Sequence, residues 1–277
     1  MQILEQFTAS KTGNDSLNED AIVITDDFVA VLDGATSRQG KTLEGVSNGR
    51  FAAQTLAAEI KQLPQDITAR AAIDHLTAVL KAATEKAAAA EGQALFEIWS
   101  WPAAAVLIYS RTRKEIWRVA DSTFVIDGKT HERFFPQEKL WAGIRQACLQ
   151  AQIIKGLSVE QLIDNDPTWP MLTPLIAELK IYANNNHPMA SPYGYGVVNG
   201  AAVPDGFLEI NKAATAQEII FASDGYLDVR ATLAETEEAL FDTIRKDPLM
   251  FQIHPQVKGV KRGAVSFDDR SYLRFRP

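Results

Sequence analysis

Phe28-Val29-Ala30-Val31-Leu32-Asp33-Gly34-Ala35-Thr36 is the stretch on which the fold turns. Its run of five apolar residues reads as a buried β-strand. The strand delivers a carboxylate, Asp33, directly followed by a glycine. An ionised carboxylate at the end of an apolar strand is costly unless a positive group meets it. Gly34 lets the backbone approach that group closely. Just upstream, Asn18-Glu19-Asp20 runs into Ala21-Ile22-Val23-Ile24-Thr25, and Asp26-Asp27 separates the two apolar runs as a turn. A hairpin closed by that turn sets Thr25 opposite Phe28. Counting back, Asp20 falls opposite Asp33, with Glu19 beside Gly34. Like charges facing each other destabilise a sheet. The convergence calls for a bound cation, unless the register differs or the acids merely flank a surface turn.

Composition narrows the function classes. A chain of 277 residues buries a substantial core, as one large domain or two. Hydrophobic residues at 46% and charged residues at 23% are ordinary for a soluble globular protein. A net charge of -7 gives no support for nucleic-acid or membrane partners. The lone Cys148 excludes a disulfide framework and Cys-rich zinc sites. His75, His131, His187 and His254 lie far apart without ligand spacing. The N-terminus lacks the basic start and apolar stretch of a signal peptide, and no run of about 18 apolar residues is present to span a bilayer. A reduced, cytoplasmic protein is expected.

Helical spacing of Leu43, Val46, Ala53, Leu56, Ala57 and Ile60 predicts a helix over 43–63. Asp66 is read as the cap of a second helix reaching about Glu91. Strands are expected at 102–109, 115–120, 123–126, 195–199, 206–210, 218–223 and 270–275. Asn199-Gly200 gives a hairpin signal between the strands at 195–199 and 206–210. Thr232-Leu-Ala-Glu235 is a capping box for a late helix. Strands joined by short turns after two helices imply antiparallel sheets covered by helices. The span at about 131–193 is the least strand-like. It reads equally as a mainly helical, substrate-facing insertion or as a packing subdomain.

Several apolar strands adjoin acids in the same way: at Glu19-Asp20, Asp33-Gly34, Asp224-Gly225 and Asp268-Asp269, with Asp121 as a further candidate. Buried carboxylates need compensation, and the sequence sets no equal group of basic residues beside them. Hard oxygen ligands without His or Cys favour Mg2+ or Mn2+. Two such ions about 3.5–4 Å apart are the usual apparatus for displacement at phosphorus.

Asn18-Glu19-Asp20, Val31-Leu32-Asp33-Gly34, Ile220 to Val229 around Asp224-Gly225, and Asp268-Asp269-Arg270-Ser271 occur in the order of the metal-dependent PPM-type (type 2C) serine/threonine protein phosphatases, which this chain resembles from about Phe7 to Phe275. Ala120-Asp121-Ser122 is similar to that family's Gly-Asp-Ser step. The resemblance implies an α+β fold, a four-layer α/β/β/α sandwich with two central antiparallel sheets. It implies one phosphatase-like domain over 1–277, acting on a phosphorylated protein in a bacterial-type regulatory system. By the same resemblance Asp33 bridges two metals, and Asp224 and Asp268 are further acids on one of them. Glu19 and the carbonyl of Gly34 serve the second. Asp20 hydrogen-bonds to metal-bound water, and Asp121 belongs to a third, weaker site. Asp20 and Asp33 are thus the catalytic candidates, with a metal-bridging water as nucleophile.

The chain departs from the family where an arginine four residues before Glu19 clamps phosphate. Asp15 stands there, leaving Lys11 as the candidate substrate-binding cation, a point charge without a bidentate fork. A catalytically weak, metal-binding pseudophosphatase with a regulatory or partner-binding role is therefore the alternative. An aspartyl-phosphate hydrolase of the haloacid dehalogenase type is a third reading, opposed by Ala35 where that loop needs a second acid.

Overall fold

In the computed structural model, which describes residues 1–37, 40–95 and 97–277, the opening hairpin forms in the expected register. Strand β2 (Asp20–Ile24) pairs with β3 (Phe28–Gly34), and the Thr25 N–H donates to the Phe28 carbonyl at 2.9 Å across the turn. Asp20 lies opposite Asp33, and the Gly34 N–H donates to the Glu19 carbonyl at 3.2 Å.

The remaining strands are β1 (Gln2–Ala9), β4 (Thr42–Leu43), β5 (Val46–Ser47), β6 (Ala104–Ser110), β7 (Glu115–Val119), β8 (Thr123–Ile126), β9 (Lys129–His131), β10 (Leu208–Lys212), β11 (Ile219–Ala222) and β12 (Arg270–Arg276). The helices are α1 (Asn48–Ile60), α2 (Ala69–Ala90), α3 (Pro136–Ile154), α4 (Val159–Asp164), α5 (Thr168–Glu178) and α6 (Leu233–Lys246). One antiparallel sheet runs β1-β12-β11-β8-β9, the other β10-β7-β6-β3-β2.

Side-chain alternation along each strand builds the layers. Phe28, Ala30 and Leu32 of β3 pack beneath Leu56 and Ile60 of α1 and Ile73 and Leu76 of α2. Val29 and Val31 point the other way, into a layer shared with Phe221, Leu273 and Phe275 of the opposite sheet. The outer face of that sheet, with Ile220, Ala222 and Tyr272, packs against Leu240 of α6 and the nearby Tyr226, Met250 and Phe267. The result is an α+β sandwich of helix, sheet, sheet and helix, as expected. Among the described residues no helix is long and apolar enough to cross a membrane.

Local boundaries differ from the sequence reading in three places. The expected helix over 43–63 begins only at Asn48, because Glu44 and Gly45 take positive φ values of 52° and 75° and turn β4 into β5. Ser47 is then its N-cap, accepting from the Arg50 N–H. Thr68, not Asp66, caps α2. The segment 195–199 forms bridges at Tyr195 and Val198 instead of a strand, while β10 pairs with β7.

Helices α3 to α5 follow one another over residues 136–178. Arg145, 1% exposed, ties them to the rest of the chain: its guanidinium donates to Asp166 and to the carbonyls of Leu249, Met250 and Gln256. Asp247 shapes the same loop by accepting the N–H groups of Phe251, Gln252 and Ile253.

Phe221 has no exposed surface and contacts the inter-sheet layer edge-on to Phe275. Phe221→Ala is expected to lower unfolding free energy by about 3–5 kcal/mol, as read by urea denaturation.

Candidate functional site

The alternation that fills the inter-sheet layer also gathers polar groups where the apolar run stops. Asp33 lies two residues beyond Val31, Asp20 two before Ile22, Ser223 two beyond Phe221, and Ser271 two before Leu273. All four therefore share the inter-sheet side of their strands. The Ser223 hydroxyl donates to Asp20 Oδ2 at 2.7 Å and accepts the Ser271 N–H at 2.8 Å. Asp224, at the end of β11, turns its own N–H onto Asp33 Oδ2 at 3.3 Å. Two glycines permit this approach. A Cβ on Gly34 would lie 2.3 Å from the Gly49 carbonyl oxygen, and one on Gly225 would lie 2.0 Å from that of Asp269.

Lysines enter this cluster, which corrects the reading that the acids lack basic company. The Lys11 ammonium reaches Glu19 Oε2 at 2.9 Å, Asp269 Oδ2 at 3.2 Å, Asp268 Oδ1 at 3.3 Å and the Thr36 hydroxyl at 2.8 Å. Lys258 pairs with the other oxygen of Asp268. Burial alone would lower the Lys11 pKa, but Asp268, Glu19 and Asp269 outweigh it and raise it. Burial likewise opposes ionisation of Asp268, yet Lys258 and Lys11 hold its carboxyl below the usual range.

The remaining acids lack such an ion pair. Among the described residues no cation is in ion-pair contact with Asp20, Asp33, Asp121 or Asp224. Enclosure by protein, then the charges of Asp224, Asp20 and Asp268, push Asp33 up. Asp224 is raised by enclosure and by Asp268. Asp121 is pushed up to about 7 by enclosure and Asp224. Burial also raises Asp20, partly offset by the Ser223 hydroxyl. Its Oδ1 is buried without a partner among the described residues.

Asp33, Asp121, Asp224 and Asp268 line a cavity of about 860 Å³. Asp224 is exposed to water within it although protein surrounds the carboxylate on several sides. Phe134, and Trp141, Trp169 and Ile176 of helices α3 and α5, also line it.

Sequence reasoning missed Lys258, Asp269, Glu138 and Arg133. Asp269 had been noted only as the neighbour of Asp268. It accepts the Lys11 N–H at 2.7 Å and the Glu19 N–H at 3.1 Å, joining the last strand to the first loop. Glu138 lines the cavity, raised by enclosure, Asp121 and Asp224. Arg133, just beyond β9, also lines it and makes no hydrogen bond or ion pair among the described residues. Lys258 and Arg133 lie outside periodic segments, so no pattern signals them.

The donors fit a hard divalent cation at one end only. Asp33 and Asp224 offer oxygen alone, open to the cavity and without a described counter-cation. Glu19 and Asp268 are already neutralised by ammonium groups. Among the described residues no three acidic, imidazole or thiol side chains stand as a ready shell for one ion.

No protein family and no curated protein matches the chain by sequence. Solved structures of bacterial serine/threonine phosphatases are similar over nearly the full length. Stp1 from Staphylococcus aureus is 13% identical at a TM-score of 0.49, covering 100% of this chain and 95% of its own. The PstP/Ppp phosphatase of Mycobacterium tuberculosis is 15% identical at 0.47, covering 98% and 97%. A PstP catalytic domain in complex with 2 manganese ions is 14% identical at 0.47, covering 99% and 98%. Likeness at this level assigns neither residue roles nor an activity to this chain.

Removing one of two facing like charges relieves repulsion. In chelator, Asp33→Asn is expected to raise the melting temperature, by the equivalent of roughly 0.5–1 kcal/mol, in differential scanning fluorimetry. An unchanged or lower midpoint would show that the acids do not oppose each other.

Proposed function

We propose that the chain is a metal-dependent phosphomonoester hydrolase acting on phosphoserine or phosphothreonine in proteins, with Mg2+ or Mn2+ held chiefly by Asp33 and Asp224. The observation that carries this reading is that Asp224 donates its N–H to the Asp33 carboxylate, and both residues line a large cavity with no described cation in ion-pair contact with either. A bound divalent ion would supply Lewis acidity toward the phosphoryl oxygens and make water acidic near neutral pH. The carbonyl of Gly34 and the carboxylates of Asp268 and Asp121 border this place. Asp20, with its unpartnered Oδ1, is the acceptor available to orient an attacking water.

A dianionic phosphate entering an acidic cavity needs a cation of the protein's own. Lys11 has three N–H groups and four acceptors around it, so it is committed to the protein. Arg133 is not so committed, and its planar fork suits two phosphoryl oxygens. Apolar walls at Phe134, Trp141 and Trp169 suit the residues flanking a phosphorylated side chain and keep bulk water from the reacting ester.

A second reading, a metal-binding module with little turnover, is favoured by the capture of Glu19 and Asp268 by lysines and by Asp15 at the missing arginine's place.

Hydrolysis of a phosphothreonine peptide is expected only with added Mg2+ or Mn2+, and to vanish in Asp33→Ala and Asp224→Ala. Arg133→Ala is expected to raise KM roughly tenfold or more, as loss of a charge-assisted hydrogen bond of about 1.5–3 kcal/mol implies. Activity persisting in chelator would refute the first reading. Background turnover together with metal-induced thermal stabilisation would select the second.

A further inference from the structure

The acids of this site fall into two sets with different needs. Glu19 is fully engaged by protein donors. Its Oε1 accepts the Ser47 hydroxyl at 2.6 Å, and its Oε2 accepts the Thr36 hydroxyl at 2.6 Å and the Lys11 ammonium at 2.9 Å. Asp269 takes the Lys11 N–H on Oδ1, with the Glu19 N–H and the Lys11 ammonium on Oδ2. Asp268 Oδ1 receives the Asp269 N–H at 2.9 Å as well as Lys11, and its Oδ2 receives Lys258.

Lys11 is held in this position through its backbone. Its N–H is bound to Asp269 at 2.7 Å, and its carbonyl accepts the N–H groups of Val265 and Ser266 at 2.8 and 3.3 Å. The residue is therefore anchored at both backbone groups, and its ammonium follows from that anchoring. Glu19 is held in turn by Ser47 on one carboxylate oxygen and by Thr36 on the other. Asp33 and Asp224 form the contrasting set, with one N–H shared between them and the rest of their oxygens open to the cavity.

We infer that the ammonium of Lys11 stands where the second of two cations is expected, so that the site binds a single divalent ion at Asp33 and Asp224. This rests on the reading of those residues as a divalent-cation centre. For a second ion to reach Glu19, the ammonium must leave its acceptors and remain unpaired in a partly buried position, which is costly. Replacing the charge while keeping the stem removes that obstacle and leaves Glu19, Asp268 and Asp269 short of a cation.

The test uses the full chain, stripped with chelator and titrated with Mn2+, followed by calorimetry and electron paramagnetic resonance. Wild type is expected to bind one Mn2+ per chain, with an uncoupled mononuclear spectrum. Lys11→Met is expected to bind two, with the spectrum of an exchange-coupled pair. Lys11→Gln serves the same purpose if circular dichroism shows the methionine variant unfolded. A coupled pair in wild type would overturn the inference while upholding the metal centre. One ion in wild type and still one in the folded variant would also overturn it. No binding in any variant would remove the metal reading and the inference together.

Discussion

Asp20 and Asp33 face each other across an antiparallel pair, and this end of the sandwich is arranged around that unfavourable contact. Strand parity leaves no choice: once Val29 and Val31 enter the inter-sheet layer, Asp33 must follow on the same side. The fold answers the crowding in two ways. Hydroxyls and backbone N–H groups take up oxygens one by one, as Ser223 does for Asp20 and Ser47 and Thr36 do for Glu19. Two lysines then make direct ion pairs, with Glu19, Asp268 and Asp269. Asp33 and Asp224 have no such pair among the described residues, and the cavity opens onto them.

Such an arrangement trades stability for a place where positive charge is welcome. Carboxylates held against one another are a local cost carried by the sheets on either side. The two glycines show how tightly the backbone is drawn together to impose it, since neither Gly34 nor Gly225 leaves room for a side chain. A layer built around Phe221, Phe275 and Leu273 is stiff enough to sustain that cost.

What was legible in the sequence follows from periodicity. The Asp20–Asp33 register was readable because a two-residue turn and an alternating strand leave one pairing that buries the apolar set. The four layers were readable only through the family resemblance; the residues alone gave antiparallel sheets covered by helices. The start of α1 was not readable, because Leu43 and Val46 fit a helical stripe as well as a small hairpin, and the positive φ at Glu44 is a tertiary outcome. Lys11 was read as a substrate cation from its place before Glu19; only the loop at Val265–Ser266, far away in sequence, turns it onto the acids. Lys258 and Arg133 belong to irregular stretches, where spacing carries no spatial information.

Arg145 gives the site a mechanical property as well as a wall. Its guanidinium grips the carbonyl of Gln256, two residues before the lysine that balances Asp268. The helical side of the cleft and the electrostatic balance of its floor are thus joined through one planar group. The position of Lys258 over Asp268 is therefore fixed in part by a side chain rooted in α3, on the far side of the loop.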